Sequence, residues 1–298
     1  VVQLTNNDGV TSFPAWSPDG EQIVFNSTFD PNQDIHVMDA DGSNVRRLEV
    51  SYYEEFEPTW SPNGEKIAFT ANRWRSGDSD AFLEIYVMDA DGSNILRLTE
   101  NDDLDYVPDW SPDGEYIAFA SNRDGNIDIF VMDADGTNVR QLTTDDSWDS
   151  FPAWSPDREQ IAFHSDRTGN FEIFVMDADG SNVRQLTTSD GFDALHPAWS
   201  PDGKKIAFTK QNDSYAEIFV MDADGSNLKQ ITTGGGSWPD WAPNNDIAPI
   251  ITAEPLPNPE PVPEPQPVEI EEEIEIKRGG VSTFIMDCRR NNDFINQA

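Results

Sequence analysis

Six tryptophans, Trp16, Trp60, Trp110, Trp154, Trp199 and Trp241, recur at spacings of 44, 50, 44, 45 and 42 residues. The first five stand in Trp-Ser-Pro and the last in Trp-Ala-Pro. A second motif follows in the first five units: Val37-Met38-Asp39-Ala40-Asp41-Gly42, repeated from Val87, Val131, Val175 and Val220. The sixth unit lacks it at the expected place. A period of about 40–45 residues holding several short strands is the mark of propeller blades.

Residues 151–188 show one unit strand by strand. Phe151 to Ser155 is a first strand stopped by Pro156, and Gln160 to Ser165 a second. Arg167-Thr168-Gly169-Asn170 reads as a turn, and Phe171 to Asp177 as a third strand. Asp179-Gly180 predicts a two-residue type I′ hairpin into a fourth strand over Asn182 to Thr187. The earlier Ser-Pro-Asp-Gly segment is a second turn signal, with Pro presetting φ and Gly supplying positive φ. Strands two and three are apolar at nearly every position, as in Ile129-Phe130-Val131-Met132. A strand wetted on one face would alternate, so both faces are covered and blades stack around an axis. Ala68, Ala118, Ala162 and Ala207 recur between Ile and Phe on the second strand. They read as small residues where neighbouring blades approach.

The fold expected is all-β: a six-bladed β-propeller of four-stranded antiparallel blades. Val1-Val2-Gln3-Leu4-Thr5 matches a fourth strand such as Arg184-Gln185-Leu186-Thr187 but has no strands before it. The sixth unit lacks a fourth strand, so the opening pentapeptide is expected to close the ring and remove an exposed edge. Asp246 to Thr252 is the second strand of that unit, weakened by Pro249. The domain reading is a propeller over 1–252, a Pro/Glu-rich linker over 253–267 and an acidic tail over 268–298. Pro occupies every second residue from Pro255 to Pro267, which favours an extended spacer. Within the tail, Thr283-Phe284-Ile285-Met286-Asp287-Cys288 resembles the third-strand motif, so it either completes the sixth blade or belongs to a separate segment.

The chain carries 19 Lys+Arg against 56 Asp+Glu, a net charge of -37. This argues against nucleic acid, whose phosphates are bound by Lys and Arg, and against an anionic membrane surface. It favours solubility, a cationic partner, or a salty or calcium-containing medium. Cys288 is the one cysteine, so no intrachain disulfide forms. No apolar stretch approaches the ~20 residues that span a bilayer. The first residue is Val1, and no signal peptide opens the chain, which is expected of a processed protein or a fragment.

The unit Pro152-Ala153-Trp154-Ser155-Pro156-Asp157, with Ile161-Ala162-Phe163, Ile173-Phe174-Val175-Met176-Asp177, Asp179-Gly180 and Gln185-Leu186-Thr187, resembles the TolB-type WD-like propeller repeat. The resemblance covers residues 1–245. It implies six blades, an extracytoplasmic setting, periplasmic or secreted, and protein–protein binding. The separate N-terminal domain of TolB is not visible. Unit four departs from the pattern with Asp157-Arg158 where others have Asp-Gly, and unit two inserts residues around Arg73 to Asp80. The repeat also resembles propellers that gate peptidases, but no Gly-x-Ser-x-Gly nucleophile elbow occurs.

The loops entering the first strands join acids to aromatics. They offer Tyr53, Glu55, Phe56, Asp103, Asp105, Tyr106, Asp146, Trp148, Asp149, Phe192 and Asp193 as candidate partner-binding residues. Gathered on one face, they suit a cationic or calcium-bearing protein or peptide, bound by a monomer. The alternative is that the aromatics cap the core and the acids are solvated. The Asp-x-Asp-Gly-Ser/Thr-Asn loops at Asp39, Asp89, Asp133, Asp177 and Asp222 invite a calcium (Ca2+) reading. Position twelve is Glu in one copy only, and Gly falls at position four, so a hairpin turn is favoured and no cofactor is expected. Arg73, Arg123 and Arg167 read as structural ion pairs with Glu84, Asp128 and Glu172. His36, His164 and His196 fall in different units at different repeat positions, so no triad or zinc cluster is expected. The function expected is a non-catalytic protein- or peptide-binding scaffold. The alternatives are an accessory propeller of a larger peptidase or hydrolase and a metal-dependent propeller enzyme.

Overall fold

The computed structural model describes residues 3–5, 10–28, 33–48, 54–72, 82–188, 191–212, 215–243 and 250–252. Tyr53, Arg73, the 253–267 linker and the segment 283–288 lie outside them. Five sheets have four antiparallel strands in sequence order. The first holds β1 (Thr11–Trp16), β2 (Gln22–Ser27), β3 (Asp34–Asp39) and β4 (Arg46–Arg47). The second holds β5 (Glu54–Trp60), β6 (Lys66–Asn72), β7 (Leu83–Asp89) and β8 (Leu96–Arg97). The third holds β9 (Asp105–Trp110), β10 (Tyr116–Ser121), β11 (Asp128–Asp133) and β12 (Arg140–Gln141). The fourth holds β13 (Asp149–Trp154), β14 (Gln160–Ser165), β15 (Glu172–Asp177) and β16 (Arg184–Gln185). The fifth holds β17 (Asp193–Trp199), β18 (Lys205–Asn212), β19 (Tyr215–Asp222) and β20 (Lys229–Gln230). A sixth sheet has two strands among the described residues, β21 (Ser237–Asp240) and β22 (Ile250–Thr252). Among the described residues five blades are therefore complete, and of the expected sixth, read as incomplete or closed by the N-terminal strand, only two strands are seen. The described residues contain no helix.

The first strands touch in a closed cycle: β1, β5, β9, β13, β17, β21 and back to β1. They surround the axis. Antiparallel pairing puts the connections between first and second strands, and between third and fourth, at one end of each blade. We refer to it as the turn end. The remaining connections form the loop end.

Apolar second and third strands form the stacked core. Phe25, Phe69, Phe119, Phe163 and Phe208 are essentially fully buried. Burying each removes enough apolar surface to contribute about 2 kcal/mol. Four of them stack on the cross-strand aromatic, as in Phe163–Phe174 at 5.9 Å. Ala118 packs against Trp154, Ile161 and Phe163 of the next blade, and Ala68 against Trp110, Ile117 and Phe119. The recurrent alanine is therefore the small residue that lets blades approach.

The motifs acquire a cause at the turn end. The Ser of Trp-Ser-Pro accepts the N–H that opens the second strand and donates to the Asp or Asn two residues on, as Ser155 does with Gln160 and Asp157. In the second turn, Asn182 Nδ2 donates to Asp177 Oδ2 at 2.7 Å and Asp179 Oδ1 caps the Ser181 N–H. The same pattern recurs at Asp39, Asp89, Asp133 and Asp222. This connection is longer than the two-residue hairpin expected. Gly180 N–H closes on Asp177 O, Asp177 N–H bonds Ser181 O, and Asn182 takes φ 55. The fourth strand is consequently reduced to Arg184–Gln185. Asn tolerates the left-handed region, which explains its place in all five turns.

The N-terminal segment lies where the repeat places a fourth strand. Leu4 O is the nearest atom to a Cβ built on Gly42, as Leu48 O is for Gly92 and Leu142 O for Gly180. Gln3 Nε2 donates to Thr5 O at 2.7 Å, as Gln185 Nε2 does to Thr187 O.

Candidate functional site

The sequence x-Pro-x-Trp in each first strand builds the axial channel. The residues at x before Pro are Phe13, Glu57, Val107, Phe151, His196 and Trp238. All six have positive φ, between 51 and 55. The following prolines are all buried and lack an N–H to give the ladder. Pairing with the second strand breaks there: Ser150 pairs with His164 and Ala153 with Ala162, skipping Phe151 and Pro152. This bulge frees the x residue from the pleat at a cost in backbone strain. Phe13 and Phe151 belong to opposite members of the cycle, and their rings stack at 6.2 Å. The x side chains thus meet across the axis.

A second tier holds the channel together between blades. Val107 N–H donates to Thr70 Oγ1 and Glu57 Oε2, and Trp238 N–H to Thr209 Oγ1. His196 N–H approaches His164 Nδ1 at 3.4 Å. Each acceptor in Thr70, His164 and Thr209 sits on the second strand of the preceding blade. Nearer the turn end, Trp154 N–H donates to Asp109 Oδ2 and Trp16 N–H to Asp240 Oδ2, both at 2.8 Å.

Burial controls the charge of this channel. It pushes the Glu57 carboxyl up to about 7, against the pull of Thr70 and Val107. It raises Asp109 to about 7, helped by the Asp240 charge, and Asp240 to about 6. It also raises the Tyr106 hydroxyl and holds His164 well below the ordinary range. His196 falls to about 3. His164 and His196 stand 5.8 Å apart in one channel wall, so two histidines placed apart by repeat position come together in space. The missed signal was the identity of His196 as the x of x-Pro-x-Trp. Among the described residues no group of three or more His, Cys, Asp or Glu is placed to hold a metal.

At the loop end the candidate residues separate. Glu55, Asp105 and Asp149 are fully buried and carry no surface for a partner. Arg123 grips both oxygens of Asp105, and Arg167 both of Asp149. The arginines also lie over the paired aromatics, Arg123 over Phe119 and Phe130, Arg167 over Phe163 and Phe174. This corrects the expected pairing of these arginines with Asp128 and Glu172. Those acids instead accept from the fourth-strand side: Thr143 and Gln141 bond Asp128, and Thr187 bonds Glu172. Glu84 is held by Arg97 and Thr99.

The other candidates reach solvent. Asp146 is exposed, and Phe56, Asp103, Tyr106, Trp148, Phe192 and Asp193 are half-buried. Trp148 packs edge-on against Phe171, Tyr106 Oη bonds Ser150, and Lys210 lies over Phe192. Asp193 accepts the Phe171 N–H. The loop end thus keeps partly open aromatics beside acids, but with fewer free carboxylates than the sequence suggested.

The cyclic stacking of four-stranded antiparallel sheets defines a β-propeller. The chain belongs to the TolB beta propeller domain family, whose model matches residues 2–106, 75–143 and 103–254. It is similar to a putative TolB from Agrobacterium tumefaciens, with 26% identity and TM-score 0.71, covering 82% of this chain and 90% of that one. TolB from Acinetobacter baumannii matches at 25% identity and TM-score 0.67 over 80% of this chain. The match spans 59% of that TolB's length. A puromycin hydrolase shares the fold at 16% identity and TM-score 0.57, covering 74% of this chain and 37% of that one.

Proposed function

We propose that this chain is a protein- or peptide-binding scaffold acting outside the cytoplasm, and that its loop end receives the partner. The observation that carries the reading is the exposed Asp146 beside half-buried Trp148, with Asp103, Phe56 and Phe192 on the same end of neighbouring blades. Aromatic anchors ringed by acids suit a cationic or calcium-bearing segment. Family membership favours the extracytoplasmic, protein-binding role, as do the TolB structures at 25–26% identity. We read the two-stranded sheet and residues 3–5 as parts of a sixth blade, which would close the ring and leave the loop end as one continuous face.

Capture of partners from a cell-envelope extract tests this. Partners should be held at low salt and released at ~1 M salt, where the screening length falls to about 3 Å. A D103N/D146N/W148A variant should capture less at low salt. Capture unchanged by salt and by the variant contradicts the loop-end reading.

A further inference from the structure

At three seams between neighbouring blades, the N–H of an axial residue reaches back to a side chain on the preceding second strand. Thr70 accepts from Val107 and Thr209 from Trp238, both at 3.1 Å. Between the fourth and fifth blades the acceptor is a histidine, and His196 N–H approaches His164 Nδ1 at 3.4 Å. Accepting there requires that Nδ1 carry no proton.

The two imidazoles form one cluster with the rings around them. The His164 ring centroid lies 5.8 Å from that of His196, 5.0 Å from Phe151 and 5.1 Å from Phe171. His196 lies 4.5 Å from Phe151 and 5.7 Å from Trp238. Phe171 also packs on Trp148, so the cluster runs from the axis to the loop end of the fourth blade.

We propose that the seam between the fourth and fifth blades is an acid-sensitive joint, which opens when His164 and His196 take up protons. A proton on His164 Nδ1 turns an acceptor into a donor facing the His196 N–H, and it sets two imidazolium charges side by side among the rings. A threonine hydroxyl at the same place stays an acceptor across this pH range. Burial and the His196 charge hold His164 well below the ordinary range, and burial holds His196 at about 3. The closed joint thus refuses protons that exposed imidazoles accept below about 6.5, so acid favours the open form.

The ionisable groups on the strands packed around the pair have other partners. Asp149 on β13 is held by Arg167, Glu172 on β15 by Thr187, and Asp240 on β21 by the Trp16 N–H. Asp193 on β17 accepts from Phe171 N–H, and Lys210 on β18 lies over Phe192 and Phe219. Tyr106 on β9 meets Ser150, the strand partner of His164, and burial raises its hydroxyl. Glu57 stands at the axial position of the opposite blade, bonded by Thr70 and Val107.

Hydrogen exchange of the full chain tests the joint, read by mass spectrometry where exchange follows the opening equilibrium and corrected for the intrinsic rate. Between about pH 7.5 and about pH 5, each histidine released to water should raise opening about 30-fold, and both together about 1000-fold. Residues 160–165 and 193–199 should report the rise. The seam between the second and third blades, where Glu57 gains a proton on closing, should show none. H164T, which installs the residue of the second and fifth blades, should cut the response to about 30-fold. H164T/H196F, with the axial phenylalanine of the first and fourth blades, should abolish it. Each variant is compared with itself at the two pH values, so a general loss of stability cancels. The test involves no partner, so its outcome is separate from that of the loop-end reading. The proposal is overturned if the parent seam opens less than about tenfold more in acid, if all seams open together, or if the double variant keeps the response.

Discussion

At the turn end, Asp-Ala-Asp-Gly-Ser/Thr-Asn closes with one set of hydrogen bonds in all five copies. At the loop end, among the described residues, the third and fourth blades share the buried pairs Asp105–Arg123 and Asp149–Arg167, whereas the first and second set buried acids on fourth-strand arginines, Asp34 on Arg47 and Glu84 on Arg97. The fifth blade has Ala194 in the matching position and sets Lys210 over Phe192 and Phe219. The axial position changes in nearly every unit. One end of the blade is thus dictated by backbone geometry, which every copy must satisfy. The other is held by side-chain contacts that differ from blade to blade.

Substitutions at the two ends can break that contrast. The largest effect is expected from R167A, which leaves Asp149 buried without its cation. Losing one partner of such a pair costs about 3 kcal/mol, measured by chemical denaturation. A loss near zero would mean that the loop end is as forgiving as a surface. At the turn end, G92A should cost about 2 kcal/mol. Gly92 has φ 91, and an added Cβ would lie 2.2 Å from Leu48 O of the preceding blade.

The channel carboxylates sharpen the comparison through pH. Glu57, Asp109 and Asp240 have folded pKa values raised above their unfolded ones, so the folded state holds protons that the unfolded state releases. Their penalty is present above the folded pKa and is relieved as pH falls. His164 and His196 act oppositely, because their lowered pKa values cost stability once unfolded histidine charges, below about 6.5. Stability should therefore rise as pH falls from about 8 to about 6.5 and gain less below that. Between about pH 8 and about pH 5, E57Q should remove about 1–2 kcal/mol of the gain, after discounting for solvent screening. Parallel pH curves for parent and E57Q would show that Glu57 does not titrate there.

The smallest effect is expected at Arg158, which has φ 66 where the other units have Gly20, Gly64, Gly114 and Gly203. R158G should stabilise by about 0.5–1 kcal/mol through relief of the left-handed backbone, partly offset by losing the exposed contact with Asp113. A destabilised variant would mean that the ion pair outweighs the strain.

Much of the fold was legible because its determinants are local. Trp-Ser-Pro-Asp-Gly and Asp-x-Asp-Gly-x-Asn bond within themselves, so spacing alone located the strands and turns. The continuous apolar runs correctly announced strands covered on both faces, and the small alanines announced blade contacts. The fourth strand was overread, because a residue in the left-handed region interrupts it before pairing begins. Ion pairing was misassigned because Asp149 and Arg167 meet across a strand pair, while the acid nearer in sequence, Glu172, is satisfied by Thr187.

The sequence by itself determined the repeat, the strand order and the acidic surface, since these follow from short-range patterns and composition. Only the tertiary structure decided which acids are buried and which side chains share the axis. Phe13 and Phe151 are 138 residues apart in the chain and stack because cyclic closure places the first and fourth blades opposite each other. No local pattern encodes that distance. The channel's chemistry arises from a closure that every blade contributes to and none specifies alone.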